Sequence, residues 1–126
     1  MNTLRKIGSS PEEEIYFPAE LLYCEKSKLA QLGCIVDKEI LFPYSYPYTS
    51  STTKILKKNF ENLYKDTLKK IDLKKNDLVI DIGSNDGNLL SNFQSNHKVL
   101  GVTPEKIGKL AIKKGIPTII DYFNDK

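Results

Sequence analysis

The sequence predicts an α/β domain built on a short parallel sheet, and three observations carry that expectation. Residues 77–82, DLVIDI, form an apolar, β-branched run of the kind seen in a buried parallel strand, ending at a glycine-bearing turn; two further short apolar runs follow at 99–102 and 117–120; and helix-forming segments lie between them. A β-α-β-α-β order implies parallel strands joined by right-handed crossovers. The 50 residues from Asp77 to Lys126 are room for one half of a doubly wound sheet. The three strands are expected side by side, with the second in chain order at the outer side.

Taken in order, residues 1–14 are polar, with Gly8, Ser9, Ser10 and Pro11 before three glutamates, and read as a mobile arm. Residues 15–32 mix aromatic and aliphatic side chains in runs broken by Pro18 and the EKSK patch, which favours short strands or turns. Residues 41–51, LFPYSYPYTSS, carry three tyrosines and two prolines and predict an extended linker. From Ser51 the pattern changes. Ile55, Leu56, Phe60, Leu63, Tyr64, Leu68 and Ile71 recur at helical steps, so an amphipathic helix is expected, started by the Ser/Thr cluster. Residues 88–96 read as a short helix. Thr103, Pro104 and Glu105 look like a second helix start with a capping hydroxyl; Ile107, Leu110 and Ile112 give its apolar face, and Gly115 ends it.

Composition narrows the function classes. A hydrophobic fraction of 40% and a charged fraction of 28% support a soluble core and exclude disordered, collagen-like and mucin-like chains. No apolar run reaches the roughly 18 residues of a membrane span, and nothing near the start resembles a signal peptide, so a cytoplasmic protein with no membrane partner is expected. The net charge of +3 comes from 19 basic and 16 acidic side chains. The lysines lie among Glu and Asp through 54–75 and 106–114, which reads as solvated helix faces and not as a nucleic-acid surface. Two cysteines, one histidine and no tryptophan suit a reduced compartment without a disulfide framework.

One motif carries chemistry. Val79-Ile80-Asp81-Ile82-Gly83-Ser84-Asn85-Asp86-Gly87 sets an acid near the end of a strand and a glycine-flanked turn before the next element. In a doubly wound sheet that turn lies at the carboxyl edge, where ligands bind and helix-start amides face outward. Its Gly-x-x-x-Gly spacing matches neither the dinucleotide fingerprint nor the phosphate-binding loop. Asp81 suits a cationic amino-acid ligand, because a carboxylate can face an ammonium directly or through water. The bland alternative is a tight turn in which the glycines only allow the bend.

LLYCEKSKLAQL, then LFPYSY with Ser50-Ser51, then VIDIGSNDGNLL and VLGVTPEKIGKLAIKKGIPTIIDYFN, in that order, resemble the S-adenosylmethionine-dependent sugar C-methyltransferases. These have a zinc-binding amino-terminal part and a Rossmann-like class I methyltransferase domain, and act on nucleotide-linked deoxysugars. The resemblance spans residues 15–126. It implies a degenerate zinc-binding-like segment over 1–50, a linking helix, and the first half of the methyltransferase domain over 51–126. It also implies that Asp81, Gly83, Ser84, Asn85, Asp86 and Gly87 cradle the methionine part of the cofactor, and that the residue ending the second strand, Thr103, faces the ribose hydroxyls.

Three departures shape the expectation. The family's Cys-x-x-Cys maps onto Cys24-Glu25-Lys26-Ser27 with serine in place of the second cysteine, and there is no other pair; zinc is therefore expected to be lost, and Cys34 reads as a small buried hydrophobe. Thr103 stands where the family usually has an acid, and a hydroxyl is a weaker acceptor than a carboxylate, so S-adenosylmethionine binding should be weak. Glu105 is read as lying within the helix start. Finally, 50 residues leave no room for the strands that would bring a base and an acceptor site, and His97 sits in the exposed-looking turn QSNHK, so no catalytic residue is assigned. The leading expectation is thus an amino-terminal piece of such an enzyme, without the catalytic half. The alternatives are a non-catalytic module completed by a separate chain at the sheet edge left open after the third strand, and a different nucleotide-binding domain in which Thr103 and Lys106 meet a phosphate.

Overall fold

The computed structural model describes residues 7–125, and these fall into two compact units, 7–41 and 42–125. The polar arm expected over 1–14 lies partly outside the described residues. Within them, Pro11–Glu13 form a single 3-10 turn. Ser10 caps it: its hydroxyl accepts from the Glu12 amide, and the Glu13 carboxylate accepts from the Ser10 amide.

In the first unit the short strands expected over 15–32 form an antiparallel hairpin of β1 (Leu21–Cys24) and β2 (Leu29–Leu32), with Leu21 opposite Leu32 and Cys24 opposite Leu29. Lys28 takes the left-handed conformation that turns the chain, and its amide donates to the Cys24 carbonyl at 2.8 Å. A single turn of helix follows, α1 (Lys38–Leu41), started by the Asp37 carboxylate, which accepts from the Glu39 amide.

The second unit opens with the stretch expected to be an extended linker, which instead folds into the unit, ending in a 3-10 turn at Ser50–Thr52 where Ser50 is buried. The amphipathic helix follows as α2 (Lys54–Lys70). It half-buries Leu56, Phe60, Tyr64 and Thr67, whereas Ile55, Leu63, Leu68 and Ile71 stay exposed. Thr53 stands at its N-cap without a side-chain bond, so the Ser/Thr cluster begins the helix but leaves the cap unmade.

The parallel sheet comprises β3 (Leu78–Ile82), β4 (Lys98–Val102) and β5 (Thr118–Ile119), in the order β3-β4-β5. This corrects the expectation that the second strand lies outermost. Each crossover sets the next strand beside the last in the same direction, so β4 keeps a neighbour on both sides and buries Val99, Gly101 and Val102.

Three further expectations need correction. β3 is covered on one face only: Leu78, Ile80 and Ile82 are 52%, 52% and 58% exposed, while Val79 and Asp81 turn inward. The helix expected over 88–96 shrinks to a 3-10 turn at Leu90–Asn92, because Ser91 and Asn92 side chains bond the Asn88 and Leu89 carbonyls and compete with the helical ladder. The helix after β4, α3 (Gly108–Lys113), starts later than Thr103, whose hydroxyl donates to the Glu105 carboxylate and caps no amide. Gly115, with φ of 80°, ends α3 as expected.

Leu90, Phe93, Val99, Ala111 and Ile116 form the core, with Tyr64, Leu73, Val79 and Leu89 packed against it. Tyr64 meets Phe93 edge-on at 4.7 Å between ring centres. Burying a Leu, Val, Ile or Phe side chain fully contributes about 1.5–3 kcal/mol, so this small cluster is the main support for the sheet's covered face. No helix among the described residues is long and apolar enough to cross a membrane.

Candidate ligand-binding site

The loop after β3 is built downward onto β4. Gly83 at φ 88° and Asn85 at φ 51° reverse the chain, and the amides of Gly83 and Ser84 both donate to the Val102 carbonyl, at 2.8 and 3.1 Å. Two of the amides that sequence alone would aim at a ligand are therefore spent on the sheet. Those of Asn85 and Asp86 have no acceptor among the described residues. Gly87, at φ 75°, closes the loop where a Cβ would stand 2.7 Å from Ile116 and 2.9 Å from Ala111, so no side chain fits. Ser84 is buried with its hydroxyl unpaired, packed against Gly101.

The segment before α2 is pinned over this loop by four hydrogen bonds. The Ser50 amide donates to Asn85 Oδ1 at 2.9 Å, Asn85 Nδ2 to the Tyr48 carbonyl at 3.0 Å, Asn88 Nδ2 to the Ser50 carbonyl at 3.3 Å, and the Ser50 hydroxyl to Asp86 Oδ1 at 2.5 Å. Asp86 is wholly buried, and Lys114 Nζ holds its other oxygen at 3.0 Å. Desolvation pushes this carboxyl up, but hydrogen bonds from Ser50, Ser51 and Lys114 together with the lysine's charge outweigh it and hold it below the usual carboxylate range. Farther along, the Lys106 amide donates to the Tyr44 carbonyl at 2.6 Å and the Tyr122 hydroxyl to the Phe42 carbonyl at 3.0 Å.

Between this strap and the ends of β3, β4 and β5 lies a cavity of about 590 Å³. Asp81, Gly83, Ser84 and Asn85 line it; Asp86, Gly87 and Thr103 do not. Asp86 serves the strap, Gly87 the turn, and Thr103 is fully buried beneath Glu105. Sequence reading set Glu105 aside as part of the helix start, which the structure places later, at Gly108, and missed Asp121; the two give the cavity two more carboxylates, beside the rings of Phe42, Tyr46, Tyr48, Phe60, Tyr122 and Phe123. Among the described residues the lining holds no lysine, arginine or histidine. Burial pushes the Asp81 carboxyl up, as expected for an acid that faces no cation. A signal for Glu105 existed: it follows Gly83 by 22 positions, near the spacing of about 20 at which doubly wound sheets place a ribose-binding acid.

Such a cavity suits a cation with apolar and hydroxyl-bearing parts. The chain is 30% identical over 108 residues to the C-methyltransferase NovU of Streptomyces niveus, a match covering 84% of this chain and 26% of that protein. The similarity supports a methyltransferase family. The chain spans about a quarter of that relative's length, and no family model matches it.

His97, the other residue with catalytic chemistry, does not reach the cavity; its Nδ1 lies 3.1 Å from the Lys74 carbonyl. In the first unit Cys24 is exposed and its thiol is pushed down in pKa, foremost by a side-chain hydrogen bond with Ser27 and then by the Ser27 and Lys26 backbone. Among the described residues no group of three or more His, Cys, Asp or Glu side chains is placed to hold a metal. Two thiols fall short of the four ligands of a structural zinc site.

Proposed function

We propose that this chain is the S-adenosylmethionine-binding part of a methyltransferase domain with a Rossmann-like sheet, akin to the C-methyltransferases of nucleotide-linked deoxysugars. The observation that carries it is the cavity at the carboxyl ends of the strands, walled by three carboxylates and six aromatic rings. The residues fit that cofactor: Asp81 can accept from its ammonium, Glu105 from its ribose hydroxyls, and the rings can flank its sulfonium and purine. When bound, the cofactor would supply an electrophilic methyl carbon on positive sulfur, with the bonding pair remaining on sulfur on transfer. Asp81 and Glu105 then act as holders, and Thr103 orients Glu105 by donating to it. We assign no base, and the acceptor sugar, its carbon acid and zinc have no holders among the residues named here.

The bare face and open edge of β3 favour a second reading, a module that is completed by another polypeptide. Parallel sheets are usually covered on both faces. Among the described residues β3 offers the longer unpaired edge, five residues against two in β5, which supports pairing of a complementing strand there.

Titration calorimetry with S-adenosylmethionine, beside a methyl-transfer assay on nucleotide sugars, separates the readings. Binding without turnover supports the cofactor-binding part; turnover by the 126 residues alone contradicts the assignment of catalysis elsewhere; and no binding by well-folded protein removes the cofactor from the account.

A further inference from the structure

Ser50 is held at every polar group it has. Its amide donates to Asn85 Oδ1, its carbonyl accepts from Asn88 Nδ2 and its hydroxyl donates to Asp86 Oδ1, so three side chains of one loop grip one residue of the strap. The strap depends on such bonds. Residues 42–49 form neither helix nor strand, and Pro43 and Pro47 bring no amide donor. Their rings nevertheless stand in a row: Phe42 meets Tyr46 edge-on at 6.0 Å between centres, Tyr46 meets Tyr48 at 6.4 Å, and all three line the acidic cavity.

The hydroxyl bond in this grip is charge-assisted, and its charge is kept by a residue outside the cavity. Asp86 is wholly buried, where a lone carboxylate is costly; Lys114 Nζ donates to its Oδ2 at 3.0 Å and to its carbonyl at 2.9 Å. Lys114 stands at the end of α3, directly before Gly115. Neither Asp86 nor Lys114 is among the described residues that line the cavity. Without the ammonium group the buried carboxyl would take up a proton or leave its place, and either change loosens its hold on the Ser50 hydroxyl.

We infer that Lys114 and Asp86 are positioning residues for the ligand of the acidic cavity: they act through Ser50 to hold the aromatic strap in place, and neither side chain touches the ligand. Three elements are tied in one chain, from the end of α3 through the loop after β3 to the strap. Asp86 thereby has a different task from cradling the methionine part of a cofactor. The inference rests on the S-adenosylmethionine reading for the identity of the ligand, and on the hydrogen bonds alone for the latch.

The test is amide hydrogen exchange followed by NMR, beside titration calorimetry with S-adenosylmethionine, on the 126-residue protein and on Lys114→Met, Lys114→Arg, Asp86→Asn and the double variant Lys114→Met, Asp86→Asn. Lys114→Met should speed exchange at the Ser50 amide about tenfold more than at the core amides of Phe93 and Gly101, and weaken S-adenosylmethionine by about tenfold. Lys114→Arg keeps the cation and should return both to within about twofold of wild type. Because Lys114 acts through Asp86, the double variant should bind no more weakly than Asp86→Asn alone. A merely structural role would speed exchange at Ser50 and in the core alike and leave the affinity of the folded protein unchanged. That result, additive losses in the double variant, or Lys114→Arg behaving as Lys114→Met would overturn the inference. Wild-type protein that binds no S-adenosylmethionine removes the cofactor reading instead, and the latch then stands or falls on whether exchange at Ser50 rises selectively in Lys114→Met and is restored in Lys114→Arg.

Discussion

Glu105 is 6% exposed and borders the cavity, whereas Thr103 is wholly buried and spends its hydroxyl on Glu105. On the proposed reading, the acid that would face the ribose is Glu105, two residues beyond Thr103. Glu105→Gln should weaken S-adenosylmethionine binding by about tenfold, since a hydrogen bond to a charged acceptor contributes about 1.5–3 kcal/mol, and calorimetry reads it. Thr103→Glu, which sequence alone would favour as restoring a missing acid, would bury a second carboxylate against the first. The expected result is a lower melting temperature and no gain in affinity.

Two acids of this site give opposite pH signatures. Asp81 has its pKa raised by burial, so its charged form is disfavoured in the folded chain; protonation relieves that cost as pH falls through the raised value. A cationic ligand prefers the charged form, so its affinity should fall as pH is lowered through the raised Asp81 value. Asp86 has its pKa depressed, so its contribution to stability is present above the ordinary carboxylate pKa of about 3.9 and is lost as pH falls through the lower folded value. Chemical denaturation at pH 7 and at a pH below about 3.9, comparing wild type with Asp86→Asn, reads it: the difference between the two proteins should shrink at the lower pH.

At the scale of elements, the loop and the strap behave as one piece. Asn85, Asp86 and Asn88 bond residues 35 to 38 positions earlier in the chain, which is why a segment rich in tyrosine and proline looked like a linker in sequence and proved to be a wall of the site. Local signals were legible: the β-branched run before Gly83, the helical period from Ile55 to Ile71, and Gly115 at the end of α3. What sequence hid was long-range, namely Ser50 reaching Asp86 and Glu105 and Asp121 converging on Asp81's cavity. The shortened helix at Leu90–Asn92 was hidden for another reason, because side-chain bonds from Ser91 and Asn92 outweighed an apolar pattern. Gly87→Ala tests the loop: with φ 75° and a Cβ 2.7 Å from Ile116, it should destabilise the fold by about 1–3 kcal/mol in a denaturant melt.

For the whole molecule, the account rests on an acidic, ring-walled cavity held at the strand ends by a small core, beside a sheet with one bare face. The half-exposed side chains of Leu78, Ile80 and Ile82 lie beside an unpaired strand edge, the combination that soluble proteins usually cover. The measurement that bears most directly on the central claim is an amide-shift map of the 126-residue protein on addition of S-adenosylmethionine. The account predicts shifts concentrated at Ile82 to Asp86, Glu105 and Asp121 to Phe123, absent from the α3 lysines; a well-dispersed spectrum that does not change, or changes only outside this cavity, would contradict it.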